Sequence, residues 1–102
     1  MPNFGSPFSG LARKSKLSNE ELVRAIRFMV AAEYEAVQLC TQLSESTDNL
    51  FVRAVLQDIA NEERVHAGEF LKLLHHLAPD EGKFYEKGAK EVDELLRQVQ
   101  NK

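Results

Sequence analysis

The sequence predicts an all-α protein, an antiparallel hairpin of two long helices followed by a shorter C-terminal helix. Apolar residues recur at three-and-four spacing through two stretches of roughly 26 to 29 residues each, the spacing of one helix face. A cluster of turn-forming residues, Ser44–Asn49, separates the two stretches. Neither glycine nor proline interrupts the first stretch. Together these observations predict two antiparallel helices, each about 40 Å long.

The composition argues against several classes of protein. The chain has 102 residues, one cysteine and a formal net charge of −3, which argues against a nucleic-acid-binding face and excludes an intrachain disulfide or cysteine-based metal site. No apolar run approaches the roughly 20 residues of a membrane span. The first sixteen residues lack the apolar segment of a secretory signal, so a cytoplasmic location is expected. A chain this short buries only about two-thirds of its unfolded surface, which favours a core shared with a second copy.

Residues 1–17 are predicted to form a flexible N-terminal arm, and residues 18–99 a single helical domain. The arm holds two of the three prolines and two of the five glycines, which disfavour helix formation. Ser18 and Glu21 then have the spacing of a capping box, in which each side chain bonds the other residue's backbone N–H. The first helix therefore begins at Ser18. Its apolar face is formed by Leu22, Ile26, Met29, Val30, Val37, Cys40 and Leu43.

The second and third helices follow from the same reasoning. The second helix begins after the turn and ends before Pro79, because proline cannot continue a helix. Its apolar face is formed by Val52, Leu56, Ile59, Phe70, Leu73 and Leu77. A shorter third helix is predicted from near Asp80 to Val99, weakened by Gly82 and Gly88.

Three polar residues interrupt the two long apolar faces: Glu33 on the first helix, and Glu63 and His66 on the second. Burial of an unpaired carboxylate costs on the order of several kcal/mol, so these residues need partners. With the turn centred on Asp48, Glu33 and Glu63 stand at the same height, each about 22 Å from the turn. Glu63 and His66 are three residues apart and share one helix face. The three side chains are therefore expected to meet in an otherwise apolar interior.

A second copy of the chain would complete both the core and this site. Two hairpins related by a two-fold axis form a four-helix bundle that holds four glutamates and two histidines. This set matches the known ligands of ferritin-like di-iron proteins. Carboxylate and imidazole together suit iron or manganese, with zinc as a competitor, so Glu33, Glu63 and His66 are the predicted metal ligands. Three further glutamates flank the predicted ligands: Glu35, Glu62 and Glu69. They are candidates for residues that support the ligands or lead the metal to them. The alternative is that they form a solvated acidic surface.

In these motifs the sequence resembles the encapsulated ferritins, the two-helix branch of the ferritin-like proteins that is associated with encapsulin shells. The resemblance covers roughly Leu17 to Leu96. It is carried by AAEYEAVQL on the first helix, STDN in the turn and DIANEERVHAGEFLKLL on the second helix. Glu33, Glu63 and His66 fall on the three metal-ligand positions of that family, and Glu35 on a position near its metal-entry path.

The resemblance implies a ferroxidase, which oxidises Fe(II) to Fe(III) at a di-iron site formed between two subunits. It also implies a decameric ring, a pentamer of dimers, and storage of the iron inside a separate encapsulin nanocompartment in the cytoplasm. The C-terminus shows no evident shell-docking peptide, so three alternatives stay open: a fragment of a longer chain, fusion to a shell protein, and another route of targeting.

Two alternatives also stay open. A rubrerythrin-like protein would reduce peroxide at the same pair of irons, without the cysteine-based rubredoxin centre that this sequence cannot form. A non-catalytic helical oligomerisation module would use the glutamates and the histidine only to set the register of its helices. Such a module would contain no stoichiometric metal.

Overall fold

The computed structural model describes residues 10–102, and within this range it contains three α-helices and no strand. The helices are α1 (Asn19–Glu45), α2 (Leu50–Leu77) and α3 (Asp80–Gln100). The predicted all-α class and the order of the helices are confirmed. Most of the predicted N-terminal arm, residues 1–9, lies outside the described residues.

The predicted capping box forms at the start of α1. The backbone N–H of Glu21 donates to Ser18 Oγ at 3.1 Å, and the backbone N–H of Ser18 donates to Glu21 Oε1 at 2.9 Å. Arg13 adds an ion pair to the other oxygen of Glu21 at 2.7 Å. The hydrogen bond from the Ser18 backbone, followed by the Arg13 guanidinium, lowers the pKa of Glu21 to about 2. Both contacts therefore fix the point at which the chain becomes helical.

A short turn reverses the chain between α1 and α2. The side chain of Asn49 accepts a hydrogen bond of 3.1 Å from the backbone N–H of Val52 and so caps α2. The backbone N–H of Asn49 donates to Thr47 Oγ1 at 3.2 Å. At the other end of the hairpin, Asn19 Nδ2 donates to the carbonyl of Leu77 at 3.5 Å. The start of α1 and the end of α2 therefore lie side by side.

The faces along which α1 and α2 pack agree with the predicted ones in part: on α1, Ile26 and Val30 are buried as expected, together with Val23. On α2 the buried residues are Ala60, Ala67 and Leu74, whereas Leu73 is 41% exposed. On α1, Ser44 is buried but Leu43 is 55% exposed. The small alanine side chains let the two helices approach closely, so the alanine face is the one in contact. The core lies near the open end of the hairpin, where Val23, Ile26 and Leu74 are buried with Leu22, Phe70 and Leu77 packed against them. Other large apolar residues, Leu43 and Leu73 among them, lie on a neighbouring face that remains open.

α3 leaves the hairpin at an angle. Arg27 of α1 forms an ion pair with Glu81, and the Tyr85 hydroxyl donates to Glu81 Oε2 at 2.6 Å. The Tyr85 ring also packs against His75, with ring centroids 5.4 Å apart. No residue of α3 is buried. The radius of gyration is 18.3 Å, against the about 13 Å of a compact chain of this length, so the protein is open and angular.

Among the helices of the described range, none combines the length and the apolar character that crossing a membrane requires.

Candidate metal centre

The middle of the hairpin brings together the three predicted metal ligands. Glu33 stands halfway along α1, and Glu63 and His66 stand opposite it on α2. One ligand atom from each residue lies within 4.8 Å of the other two. His66 Nδ1 is 3.8 Å from Glu33 Oε2 and 3.8 Å from Glu63 Oε2. The equal distances of Glu33 and Glu63 from the turn produce this meeting, as helix geometry requires.

The three side chains become more exposed from α1 towards the outer edge of α2. The exposed fraction of the side chain is 12% for Glu33, 22% for Glu63 and 48% for His66. In a single chain His66 is therefore half-exposed, and the enclosed interior that the sequence predicts for two paired hairpins stays a prediction. The contact face of α2 is centred on its alanines, and His66 lies at the edge of that face. Its imidazole borders the open side of the hairpin.

The innermost carboxylate has an unsatisfied oxygen. Glu33 Oε2 is buried and accepts no hydrogen bond. A buried carboxylate oxygen without a partner is costly, and a cation between the two carboxylates and the imidazole would satisfy it. Oxygen donors combined with one imidazole nitrogen suit iron and manganese. The donor set of this chain therefore fits the metal that the sequence predicts.

A cleft of about 350 Å³ opens beside the ligands. It is lined by Glu33, His66, Glu69, Phe70 and Leu73. Glu69, which the sequence places only on the flank of the site, forms part of its wall because it follows His66 by three residues on the same helix face. The cleft gives solutes direct access to the outer side of the ligand group.

The two remaining candidates lie outside the group of three ligand residues. Glu35 is half-buried on α1, about 200° around the helix from Glu33. Glu62 is exposed and directly precedes Glu63. The structure therefore separates the inner residues, whose donor atoms converge, from two glutamates at the periphery.

Exposed apolar residues extend along the helix face that carries the open side of the site. Val52, Val55 and Leu73 lie on the same face of α2 as His66, and they are 38%, 43% and 41% exposed. Met29 and Cys40 stand on the Glu33 face of α1 and are half-buried. An apolar face that is interrupted by metal-ligating side chains is typical of a helix pair that packs against another helix pair.

Comparison with known proteins places these features in a family. The family model described as Rubrerythrin matches residues 20–100. The chain is 36% identical over 83 residues to a ferritin-like–encapsulin shell fusion protein of Pyrococcus furiosus, a match that covers 81% of this chain and 24% of the relative. It is also 35% identical over 94 residues to the encapsulin nanocompartment cargo protein EncC of Myxococcus xanthus, covering 92% of this chain and 68% of that protein.

A solved structure shares the same fold. The crystal structure of the encapsulated ferritin domain from Pyrococcus furiosus superimposes with a TM-score of 0.79 at 35% sequence identity. The match covers 83% of this chain and 87% of that one. The chain thus spans about a quarter of the fusion protein's length but nearly all of the isolated ferritin domain.

Proposed function

The chain belongs to the rubrerythrin family and has the ferritin-like fold, and from this premise we propose that it is a ferroxidase that oxidises Fe(II) to Fe(III). The main support is the convergence of Glu33, Glu63 and His66 within 4.8 Å of one another. The unpartnered, buried Oε2 of Glu33 adds to this support, because a carboxylate in that state favours a cation beside it.

The proposed site is completed by a second copy of the chain. One hairpin supplies three protein ligands and leaves its outer side open, as the half-exposed His66 and the adjoining apolar residues illustrate. A two-fold axis through this side would bring a second set of the same three residues to the site. Four carboxylates would then balance the charge of two ferrous ions. In this arrangement Glu33, Glu63 and His66 of both subunits would together hold the two ions, the glutamates through carboxylate oxygens and the histidines through ring nitrogens.

The side chains have distinct roles in this reaction. Glu33 and Glu63 bind ferrous ions as substrate and stabilise the greater positive charge of the ferric product. His66 adds a nitrogen ligand through Nδ1, the ring nitrogen that lies 3.8 Å from an oxygen of each carboxylate. Two ferrous ions together supply the two electrons that convert dioxygen to peroxide, or peroxide to two hydroxides.

Peroxide reduction is the second candidate, and the Rubrerythrin family match over residues 20–100 favours it specifically. The same two-electron site serves either oxidant. Comparison of initial rates of iron oxidation with dioxygen and with peroxide at equal concentration distinguishes the two candidates.

The names of the relatives support a proposal about assembly. One relative is a cargo protein of an encapsulin nanocompartment, and the other is fused to an encapsulin shell. We expect this chain likewise to act inside an encapsulin shell in the cytoplasm, where the ferric product is stored. We further expect its dimers to form a ring of five dimers.

Iron titration tests the proposed activity. Anaerobic addition of Fe(II), followed by oxygen, should saturate at about one iron per chain, because each chain supplies one set of ligands. Glu33→Ala and His66→Ala should each abolish the rapid oxidation phase. Glu45→Gln, at the exposed end of α1, is the matched control and should oxidise iron at the parent rate.

The peripheral glutamates are tested in the same assay. If Glu35 and Glu62 assist entry, Glu35→Gln and Glu62→Gln should slow uptake without lowering the iron bound at saturation. A parent protein that binds no stoichiometric iron and keeps its oligomeric state in chelator would instead identify a non-catalytic helical module. Parent-like rates in both Glu33→Ala and His66→Ala would refute the ferroxidase site.

A further inference from the structure

Glu69 is an acidic residue beside the metal ligands that has no part in the reaction described above. It lines the cleft of about 350 Å³ that also contains Glu33 and His66. The residue is exposed, and within residues 10–102 it takes part in no hydrogen bond or ion pair. It also lies outside the group of residues whose ligand atoms converge within 4.8 Å. Its carboxylate is therefore free to bind a cation that has not yet reached the ligands.

The donor residues of α2 form a file that runs from the interior of the hairpin to the solvent. Glu63, His66 and Glu69 are spaced by three residues, so each step rises about 4.5 Å along the helix and turns about 60° around it. The exposed fraction of the side chain increases from 22% at Glu63 to 48% at His66, and Glu69 at the outer end is exposed. At the inner end, Glu33 Oε2 is buried and accepts no hydrogen bond. The file therefore connects an unpaired carboxylate in the solvent with an unsatisfied carboxylate oxygen in the interior.

The cleft distinguishes Glu69 from Glu62, the other exposed glutamate beside His66. Glu62 precedes His66 by four residues and Glu69 follows it by three, so both adjoin the histidine on the surface of α2. The cleft is lined by Glu69 and not by Glu62. Its apolar lining residues, Phe70 and Leu73, also follow His66 in the chain, so the cleft extends from the ligands towards the open end of the hairpin. An ion that enters through this cleft passes Glu69 before it reaches His66.

Glu69 stands at the outer edge of the face that the proposed dimer covers. It is nine residues from the buried Ala60, whose side of α2 contacts α1, and so lies about 180° around the helix from it. A second hairpin seated on the open side of the site encloses the inner ligands first, because these lie closer to the contact between α1 and α2. Glu69 then remains at the rim, between the solvent and the enclosed ligands.

We infer that Glu69 is the residue that first binds the incoming Fe(II), as a hydrated divalent cation, and passes it through the cleft to His66 and Glu33. This inference rests on the proposed function, which makes Fe(II) the substrate. The transfer is an exchange of ligands without a change of oxidation state: the ion leaves the Glu69 carboxylate, gains the imidazole and the inner carboxylates, and releases bound water to the solvent. Glu69 increases the rate of arrival, because a negative charge in a cleft raises the local concentration of cations.

Binding of Co²⁺ in the absence of oxygen tests this capture step separately from the oxidation. Co²⁺ accepts the same oxygen and nitrogen ligands as Fe²⁺, and its visible absorbance reports its coordination. Stopped-flow absorbance of the full-length protein gives the association rate constant. In Glu69→Gln this constant should fall about three- to tenfold at low salt, because one charge close to the path of the ion is lost. The Co²⁺ bound per chain at saturation should equal that of the parent.

Further variants separate the charge of Glu69 from the charge of the surface as a whole. Glu69→Lys should slow association more than Glu69→Gln, and Glu69→Asp, which keeps the charge, should remain within about twofold of the parent. Glu62→Gln is the matched comparison: it removes the same charge beside His66 but outside the cleft, and it should slow association less than Glu69→Gln. At about 1 M salt the parent and Glu69→Gln should bind at nearly equal rates, since the Debye length falls to about 3 Å.

The outcomes distinguish a failure of this inference from a failure of the proposed function. Parent-like association in both Glu69→Gln and Glu69→Lys would overturn the inference, and so would equal slowing by Glu62→Gln. A lower Co²⁺ content of Glu69→Gln at saturation would also overturn it, because Glu69 would then be a ligand of the final site. A parent protein that binds Co²⁺ but does not oxidise Fe(II) would refute the ferroxidase alone, whereas a parent that binds no Co²⁺ would refute both. Sedimentation and circular dichroism of each variant verify that its dimer and its helices match those of the parent.

Discussion

At the scale of single residues, Glu33 lowers the stability of the fold but offers a carboxylate that could bind a cation. Its Oε2 is buried without a hydrogen bond and lies 3.8 Å from the His66 imidazole nitrogen Nδ1. Such a group persists in a fold when it has a purpose other than stability, because an apolar side chain of similar size is usually accommodated at least as well. The proposed metal centre would supply that purpose.

The replacement Glu33→Leu should therefore stabilise the metal-free protein by about 1–3 kcal/mol, since it removes an unsatisfied buried carboxylate. The same change should eliminate the rise in melting temperature that Zn²⁺ or anaerobic Fe²⁺ produces in the parent. Thermal unfolding followed by circular dichroism, with and without metal, measures both effects. Glu62→Leu changes the same charge at an exposed position and should leave both quantities nearly unchanged. A lower melting temperature for metal-free Glu33→Leu would contradict this account.

The positions of these residues were largely predictable from sequence, but their exposure was not. The height at which Glu33 and Glu63 meet depends only on the turn and on the rise of a helix, so counting from Asp48 suffices. The exposure of His66 depends on which face of α2 meets α1. α2 has several apolar faces. The face that carries Ala60 and Ala67 packs against α1, because small side chains allow the two helices to approach closely.

At the scale of secondary structure, local side-chain chemistry set the ends of the helices. These ends could be predicted from the sequence, because each signal acts on backbone groups within a few residues of itself. The signals are the capping box of Ser18 and Glu21, the Asn49 cap and Pro79. The angle at which α3 leaves the hairpin was not readable. It depends on Arg27 and Glu81, which are 54 residues apart, and no local pattern identifies such a pair.

The capping box should make stability depend on pH in a defined range. The folded-state pKa of Glu21 is about 2, below its ordinary value of 4.5. A carboxyl whose pKa is lowered by folding stabilises the protein fully above the ordinary value, and this contribution is lost as the pH falls from about 4.5 towards 2. Glu21→Gln should thus lower the melting temperature at pH 6 to 7.

The difference in melting temperature between the parent and Glu21→Gln should shrink steadily below pH 4.5 and disappear near pH 2. A series of thermal melts between pH 2 and 7 measures it. Glu45→Gln is the control at the opposite end of the same helix, where the side chain takes no part in the cap. An undiminished effect of Glu21→Gln at pH 2 would show that the carboxylate does not act through the cap.

At the scale of the whole molecule, the chain is less compact than its length allows. Its radius of gyration of 18.3 Å exceeds the about 13 Å of a compact chain of this length, and many of its large apolar side chains are exposed. The short sequence suggested a core shared with a second copy, because a chain of 102 residues buries a smaller fraction of its surface than a larger domain does. The proposed metal centre has a corresponding shortage of ligands in one chain, which supplies two carboxylates and one imidazole.

If a second chain is needed to complete the site, the rate of iron oxidation per chain must depend on protein concentration. Above the dissociation constant of the dimer this rate should be constant. Far below that constant the dimeric fraction is proportional to concentration, so each tenfold dilution should lower the rate per chain about tenfold.

Leu73→Glu places a charge on the open face beside the ligands and should move this decline to higher concentration while leaving all three ligand residues in place. Val65→Glu is the matched control, because Val65 lies on the outer side of α2 and is 63% exposed. Stopped-flow oxidation and sedimentation on the same dilution series provide the measurement. A constant rate per chain among sedimenting monomers would mean that a single hairpin oxidises iron unaided, and the shared site would then be wrong.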